Sequence, residues 1–302
     1  MSRFGLLTIL IVFEAIILSG CSEDDSGLSY TGELGDPLSV DLRNGLMLST
    51  VSVDGSDGLT FLVDTGASHI VLDDETAESL GYSTAAVLYE IDAFGLGDAE
   101  FSNLSATTVD LAGFENSLDV DLHGVIGGSL LQELTLVVNH RNQWFALLDG
   151  EDEVDSGLLD EAAIEPLDPY RIDVDYEHHV PLSIASFEGD SATTVLLDTG
   201  ASSTFLFEST YERLENTDRP TLEGLRGVGA AGVFSLVHTR VCGIEVGPAS
   251  LDDLRVGVIP DTSLGSMIEL FPDLGALLGA SFFREFVTVF DGPNETVRLY
   301  PY

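Results

Sequence analysis

The chain has no lysine. All eleven of its basic side chains are arginines, set against 52 aspartates and glutamates, for a formal charge of −41 over 302 residues. So one-sided a balance excludes nucleic acid and anionic lipid surfaces as partners, because both would be repelled at long range. It also predicts stability that rises with salt, as counterions screen self-repulsion, which suits a saline habitat. Cysteine is nearly absent: only Cys21 and Cys242 occur, so packed cores rather than a disulfide framework must hold the fold. Cys242, in the strand-like HTRVCGIEVG, reads as a small buried hydrophobe, since no neighbour would lower its pKa. Histidine and cysteine never cluster at zinc spacing. His178 and His179 are adjacent, so on a strand they would face opposite ways and could not share an ion. The stretch Asp54-Gly55-Ser56-Asp57-Gly58 has Thr65 where a calcium loop needs its glutamate, and reads as a hairpin turn. The Gly-X-Gly triplets at residues 95–97 and 227–229 lack the strand-to-helix context of phosphate loops. No metal and no cofactor is implied.

Long apolar runs are missing too. The longest, Phe4 to Leu18, is interrupted by Glu14 and falls short of the roughly 20 residues that cross a bilayer. With Arg3 before it and Leu18-Ser19-Gly20-Cys21 after it, the segment is similar to a lipoprotein signal peptide over residues 1–20, cleaved ahead of a lipidated Cys21. That resemblance implies an extracytoplasmic protein held on a bacterial membrane through lipid on Cys21, with Ser22 favouring the outer membrane. Residues 21–36 are acidic, glycine-bearing and aperiodic, and read as a flexible tether.

What remains is one unit written twice. FLVDTGASHIVL contains Asp64-Thr65-Gly66-Ala67-Ser68, and VLLDTGASSTFL contains Asp198-Thr199-Gly200-Ala201-Ser202. Each aspartate stands where an apolar, β-prone run breaks into a tight turn, so each is a carboxylate on a loop held by a stiff scaffold. After each loop come a short strand and a helical turn, with Asp73 or Asp74 as the first cap, Gly81 as its stop and Ser209 as the second cap. Later, Gly124-Val125-Ile126-Gly127-Gly128-Ser129-Leu130-Leu131 matches Ala276-Leu277-Leu278-Gly279-Ala280-Ser281-Phe282-Phe283. Each reads as strand, glycine, Ser cap and short helix. Both copies end in a hairpin. The halves are residues 37–150 and 171–302, joined by an acidic linker over 151–170. A surplus of about eighteen residues in the second half is placed near IPDTSLGSMIELFPD.

This arrangement resembles the aspartic peptidases, pepsin-like and retroviral-type. The resemblance implies an all-β fold of two pseudo-twofold-related barrel lobes with a cleft between them. It implies a catalytic dyad of Asp64 and Asp198, supported by Thr65, Gly66, Thr199 and Gly200, that activates one water against the peptide bonds of a peptide or protein substrate. In the family, the apolar strand ending in glycine passes beside each Asp-Thr-Gly loop, and a hairpin flap covers the bound peptide. Phe94, Gly95, Leu96 and Gly97 are the flap candidates. Two carboxyls about 3 Å apart hold one proton between them. Ala67 and Ala201 lack the hydroxyl that lowers the pair's pKa in pepsin-type sites, so a bell-shaped rate profile at roughly pH 4 to 6 is expected. Two copies in one chain complete a site, so a monomer suffices. The alternative function is a catalytically silent, surface-anchored peptide-binding or adhesion module with the same fold.

Overall fold

In a computed structural model of the chain, the described residues are 27–302 apart from 85–87, 151–153, 155–157, 160–167, 191, 215–218, 230–231 and 266, with the backbone of Leu7–Ile9 in addition. The rest of the signal segment, Cys21 and most of the acidic linker lie outside them. Strand accounts for 53% of the structure and helix for 14%, which settles the class as all-β. Among the described residues no helix is long and apolar enough to cross a membrane.

Each half opens with a hairpin whose turn chemistry is local. Strands Leu46–Val53 and Ser56–Val63 join through Asp54-Gly55 at φ 49° and 81°, and Val180–Phe187 turns at Glu188-Gly189, φ 55° and 75°, toward Thr193–Leu197. Two residues in the left-handed region match the right-handed twist of the paired strands, which is why Asp-Gly and Glu-Gly serve there. Gly124–Ile126 then runs parallel to Phe61–Val63 and antiparallel to Val71 and Leu72, while Leu277 and Leu278 run parallel to Leu196 and Leu197, and Leu277 pairs antiparallel with Phe205. A third sheet of six strands joins the halves: the terminal hairpins meet where Thr135–Asn139 pairs antiparallel with Phe286–Asp291. Its central rung, Val137 to Val289, marks the pseudo-twofold axis.

The cores follow from strand alternation. Phe61, Phe94, Phe101 and Val63 fill the first half, and Val180, Phe205, Phe207 and Leu277 pack together in the second. The first helix, Asp74–Leu80, starts on Asp73, whose side chain accepts the Glu75 N–H, and stops at Gly81 with φ 90°.

Several expectations need correction. Ser209 lies inside its helix, Glu208–Glu212, which no side chain caps. Gly127 and Gly279 stand at the N-caps expected of Ser129 and Ser281; Ser281 instead accepts from the Thr204 N–H at 2.8 Å, tying helix to strand. The tether is folded in its second part: Ser29–Thr31 adds to Ala99–Ser102 as an edge strand, and Tyr30 donates to Asp149 at 2.7 Å. Cys242 is exposed, because it falls on the outward register of a long hairpin. His178 and His179 form a turn, φ 52° and 65°, rather than part of a strand.

The surplus residues of the second half lie elsewhere than expected. From Ile70 to its parallel partner Ala106 the first half takes 36 positions (70 to 106), whereas from Thr204 to Val256 the second takes 52 (204 to 256). About sixteen of the eighteen extra residues therefore sit in the hairpin Leu222–Gly229 and Gly232–Val246, whose second strand is 15 residues long.

Candidate active site

The two Asp-Thr-Gly loops meet on the pseudo-twofold axis. Each aspartate is fixed by its backbone, since Asp64 N–H donates to Ile126 O at 3.0 Å and Asp198 N–H to Leu278 O at 2.9 Å. The strands carrying those carbonyls come this close because they end in glycine. A Cβ on Gly127 would stand 2.0 Å from His69 O, and one on Gly279 2.2 Å from Ser203 O. No side chain fits there.

The loops are then locked to each other. Thr65 N–H donates to Thr199 Oγ1 and Thr199 N–H to Thr65 Oγ1, both at 3.0 Å. Each hydroxyl passes its own proton across the axis, Thr65 Oγ1 to Leu197 O at 2.7 Å and Thr199 Oγ1 to Val63 O at 2.9 Å. Four hydrogen bonds thus bind one half to the other, all in the dry interior.

This lock presses the carboxyls together. A Cβ on Gly66 would lie 2.7 Å from Asp198 Cγ, and one on Gly200 2.2 Å from Asp64 Cγ, so each glycine packs against the opposite acid. Both aspartates are fully buried. Gly66 N–H donates to Asp64 Oδ1 at 2.8 Å, but no hydrogen bond of good geometry reaches either oxygen of Asp198. Burial raises the pKa of both. For Asp198 the charge on Asp64 adds to the effect of burial. Each charge disfavours the other, so the pair holds one proton between them.

The structure thus brings together Asp64, Asp198, Thr65, Gly66, Thr199 and Gly200. It removes the four flap candidates. Phe94 and Leu96 are core residues, Phe94 packed edge-on to Phe61 with ring centroids 5.6 Å apart, and a Cβ on Gly97 would lie 2.7 Å from Leu38 Cδ2. A hairpin with strands of three and four residues, Phe94–Leu96 and Ala99–Ser102, is too short to reach over a cleft. The longer hairpin of the second half, Leu222–Gly229 and Gly232–Val246, instead touches the first half. Its Val228 joins the first half's cluster of Leu111, Phe114 and Leu122, and a Cβ on Gly113, in helix Ala112–Leu118, would meet Val228 Cγ1 at 3.5 Å. The backbone of Leu7–Ile9 runs along the same hairpin, parallel to Arg226–Val228. The signal for this longer hairpin was in the sequence: Gly227 to Gly232, with sixteen additional residues of arm.

A histidine group borders the first loop. His69 follows Ser68, its ring centroid lies 5.6 Å from that of His179, and His179 Nδ1 is 2.9 Å from Gln132 Oε1. Burial, then His179 and His178, depresses His69 to about 4, so the imidazole is neutral across the weakly acidic range. Among the described residues no group of three or more His, Cys, Asp or Glu side chains is placed to hold a metal ion.

Comparison with known proteins agrees with this geometry. Residues 49–88 and 180–282 match the aspartyl protease family model, so one matched segment carries Asp64 and the other carries Asp198 and Gly279. Both halves of the chain thus carry a segment similar to the aspartyl proteases. Among solved structures, a retropepsin-like aspartic protease from Rickettsia conorii is 22% identical, covering 39% of this chain and 94% of that one, with a TM-score of 0.31. No curated protein matches.

Proposed function

We propose that the chain is an aspartic endopeptidase whose Asp64 and Asp198 hydrolyse peptide bonds through one activated water. The observation that carries this reading is the crossed threonine lock, which holds two buried carboxyls against each other. A water between the carboxyls gives a proton to the ionised member of the pair as it attacks the peptide carbonyl, and the protonated member donates to the carbonyl oxygen. The resulting gem-diol collapses as a proton passes to the leaving nitrogen, and the pair returns to its one-proton state. The substrate lies extended between the lobes under the Leu222–Val246 hairpin. The chain acts as a monomer, since each half supplies one acid.

In this reading residues 1–20 direct export and Cys21 carries the lipid that holds the enzyme on an outer membrane, so Cys21→Ser should release it unlipidated. Incubation of the protein with a peptide library at several pH values, with and without a pepstatin-like inhibitor, tests the activity. Inhibitor-sensitive cleavage is expected; peptides left intact at every pH would refute it.

A further inference from the structure

Four of the eleven basic residues in this acidic chain converge on one groove of about 860 Å³. Arg141, Arg240, Arg255 and Arg284 stand on its walls, with exposed guanidinium groups. The groove begins at the second catalytic loop, where Ser202 and Ser203 follow Ala201, and the first half closes its edge with the Asn44-Gly45 turn. There a Cβ on Gly45 would lie 3.0 Å from Ala280 Cβ and 3.5 Å from Ser202 O, so both lobes build the site beside the dyad loop.

His140 also lines the groove; it is 5% exposed, and neither ring nitrogen has a hydrogen-bond partner among the described residues. Its ring stacks on Phe283 at 6.3 Å, which fixes its plane. A buried imidazole with two unsatisfied nitrogens is costly unless a ligand completes it. Three acids, Asp252, Asp253 and Glu285, share the lining, one fewer than the arginines. Asp253 holds Arg240 at 2.6 Å, Glu285 lies within 3.4 Å of both Arg141 and Arg284, and no ion pair is made by Arg255 among the described residues. A guanidinium has five N–H donors and one carboxylate occupies at most two, so these contacts orient the side chains and leave donors toward the groove.

We propose that this groove binds acidic side chains of an extended polypeptide substrate, making the enzyme selective for aspartate and glutamate on one side of the scissile bond. The selectivity rests on the peptidase reading above; the binding does not. Polypeptide is favoured over a small anion because the volume holds several residues and the groove opens from a catalytic loop. One-sidedness follows from the pseudo-symmetry. At the equivalent place on the first loop, the His69 ring meets that of His179, whose turn packs on Gly128, and the lining of the small pocket beside Gly128 and His179 contains no arginine.

The test uses the full-length protein in two forms at fixed high salt. Asp64→Asn measures binding alone, and wild type measures cleavage of peptides carrying acidic residues before, after, or on neither side of the bond. Arg255→Gln with Arg284→Gln should weaken acidic-peptide binding to the Asp64→Asn form about tenfold or more, with neutral peptides unaffected. In the active enzyme the same pair should raise KM for acidic peptides and leave kcat nearly unchanged. If acidic and neutral peptides bind alike, or if inorganic phosphate binds the groove and acidic peptides do not displace it, the proposal is overturned. Arginine-dependent binding without any cleavage would uphold the groove and sink the peptidase reading; cleavage without acidic preference would do the reverse.

Discussion

Thr199→Val isolates the lock between the loops. Valine matches threonine in shape, so the core at this fully buried position stays filled, but the hydroxyl is lost. Two partners are then stranded: the Thr65 N–H, which donated to Thr199 Oγ1 at 3.0 Å, and the Val63 carbonyl, which accepted from it at 2.9 Å. Each orphaned buried group costs about 1–3 kcal/mol, so the substitution should destabilise by about 2–6 kcal/mol. For a chain of this size that lowers the melting temperature by roughly 5–15 °C. Thr199→Ser is the control, since it keeps the hydroxyl and loses one methyl, worth about 1 kcal/mol. Thermal unfolding followed by circular dichroism or calorimetry reads the difference. Equal melting temperatures for the valine and serine variants would show that the crossed bonds do not hold the halves together.

Val228→Asp should undock the long hairpin by setting a charge against Leu111 and Phe114; KM for peptides should rise several-fold, and unchanged kinetics would show that this hairpin is no flap. Melting temperature should climb from 0.1 to 1 M sodium chloride as the screening length falls from about 10 Å to about 3 Å, and a flat response would reject self-repulsion as a determinant of stability. Asp198→Asn should gain stability on wild type as pH rises from 4 to 8. Burial raises the Asp198 pKa, so its contribution is present below the ordinary carboxylate value and drains away as pH climbs toward the folded one. A constant gap between the two melting curves over that range would contradict the raised pKa.

The repeated pentapeptides, the strands ending in Gly127 and Gly279 and the terminal hairpins were legible because each is a local pattern with a fixed structural meaning: a turn residue, a glycine where backbones touch, an alternation of two. The contacts of Thr65, Gly66, Thr199 and Gly200 across the axis follow from them. What was not legible depended on length and on partners distant in sequence. Both halves have a glycine-bearing hairpin, and only the strand pairings show that the surplus residues lengthen the second one, while the core takes up Phe94 and Leu96 of the first. Ser129 and Ser281 looked like caps by position, but the close approach at Gly127 and Gly279 moved the helix start back onto glycine. Cys242 belongs to a strand as read, yet which face it takes depends on pairing register. The arginines of the groove are spread from residue 141 to residue 284, and no spacing rule joins them.

The most direct measurement of the central claim is the pH dependence of peptide cleavage by wild type, Asp64→Asn and Asp198→Asn. Burial pushes both carboxyls in the direction the missing hydroxyls at Ala67 and Ala201 already implied, upward. Wild type should therefore give a bell-shaped profile whose acid limb lies above the ordinary carboxylate value of about 4. Each asparagine variant should lose at least about 10²–10⁴-fold in rate while remaining folded. A variant that cleaves at nearly the wild-type rate, or a wild type whose rate is undiminished at pH 3, would contradict a dyad that works by sharing one proton.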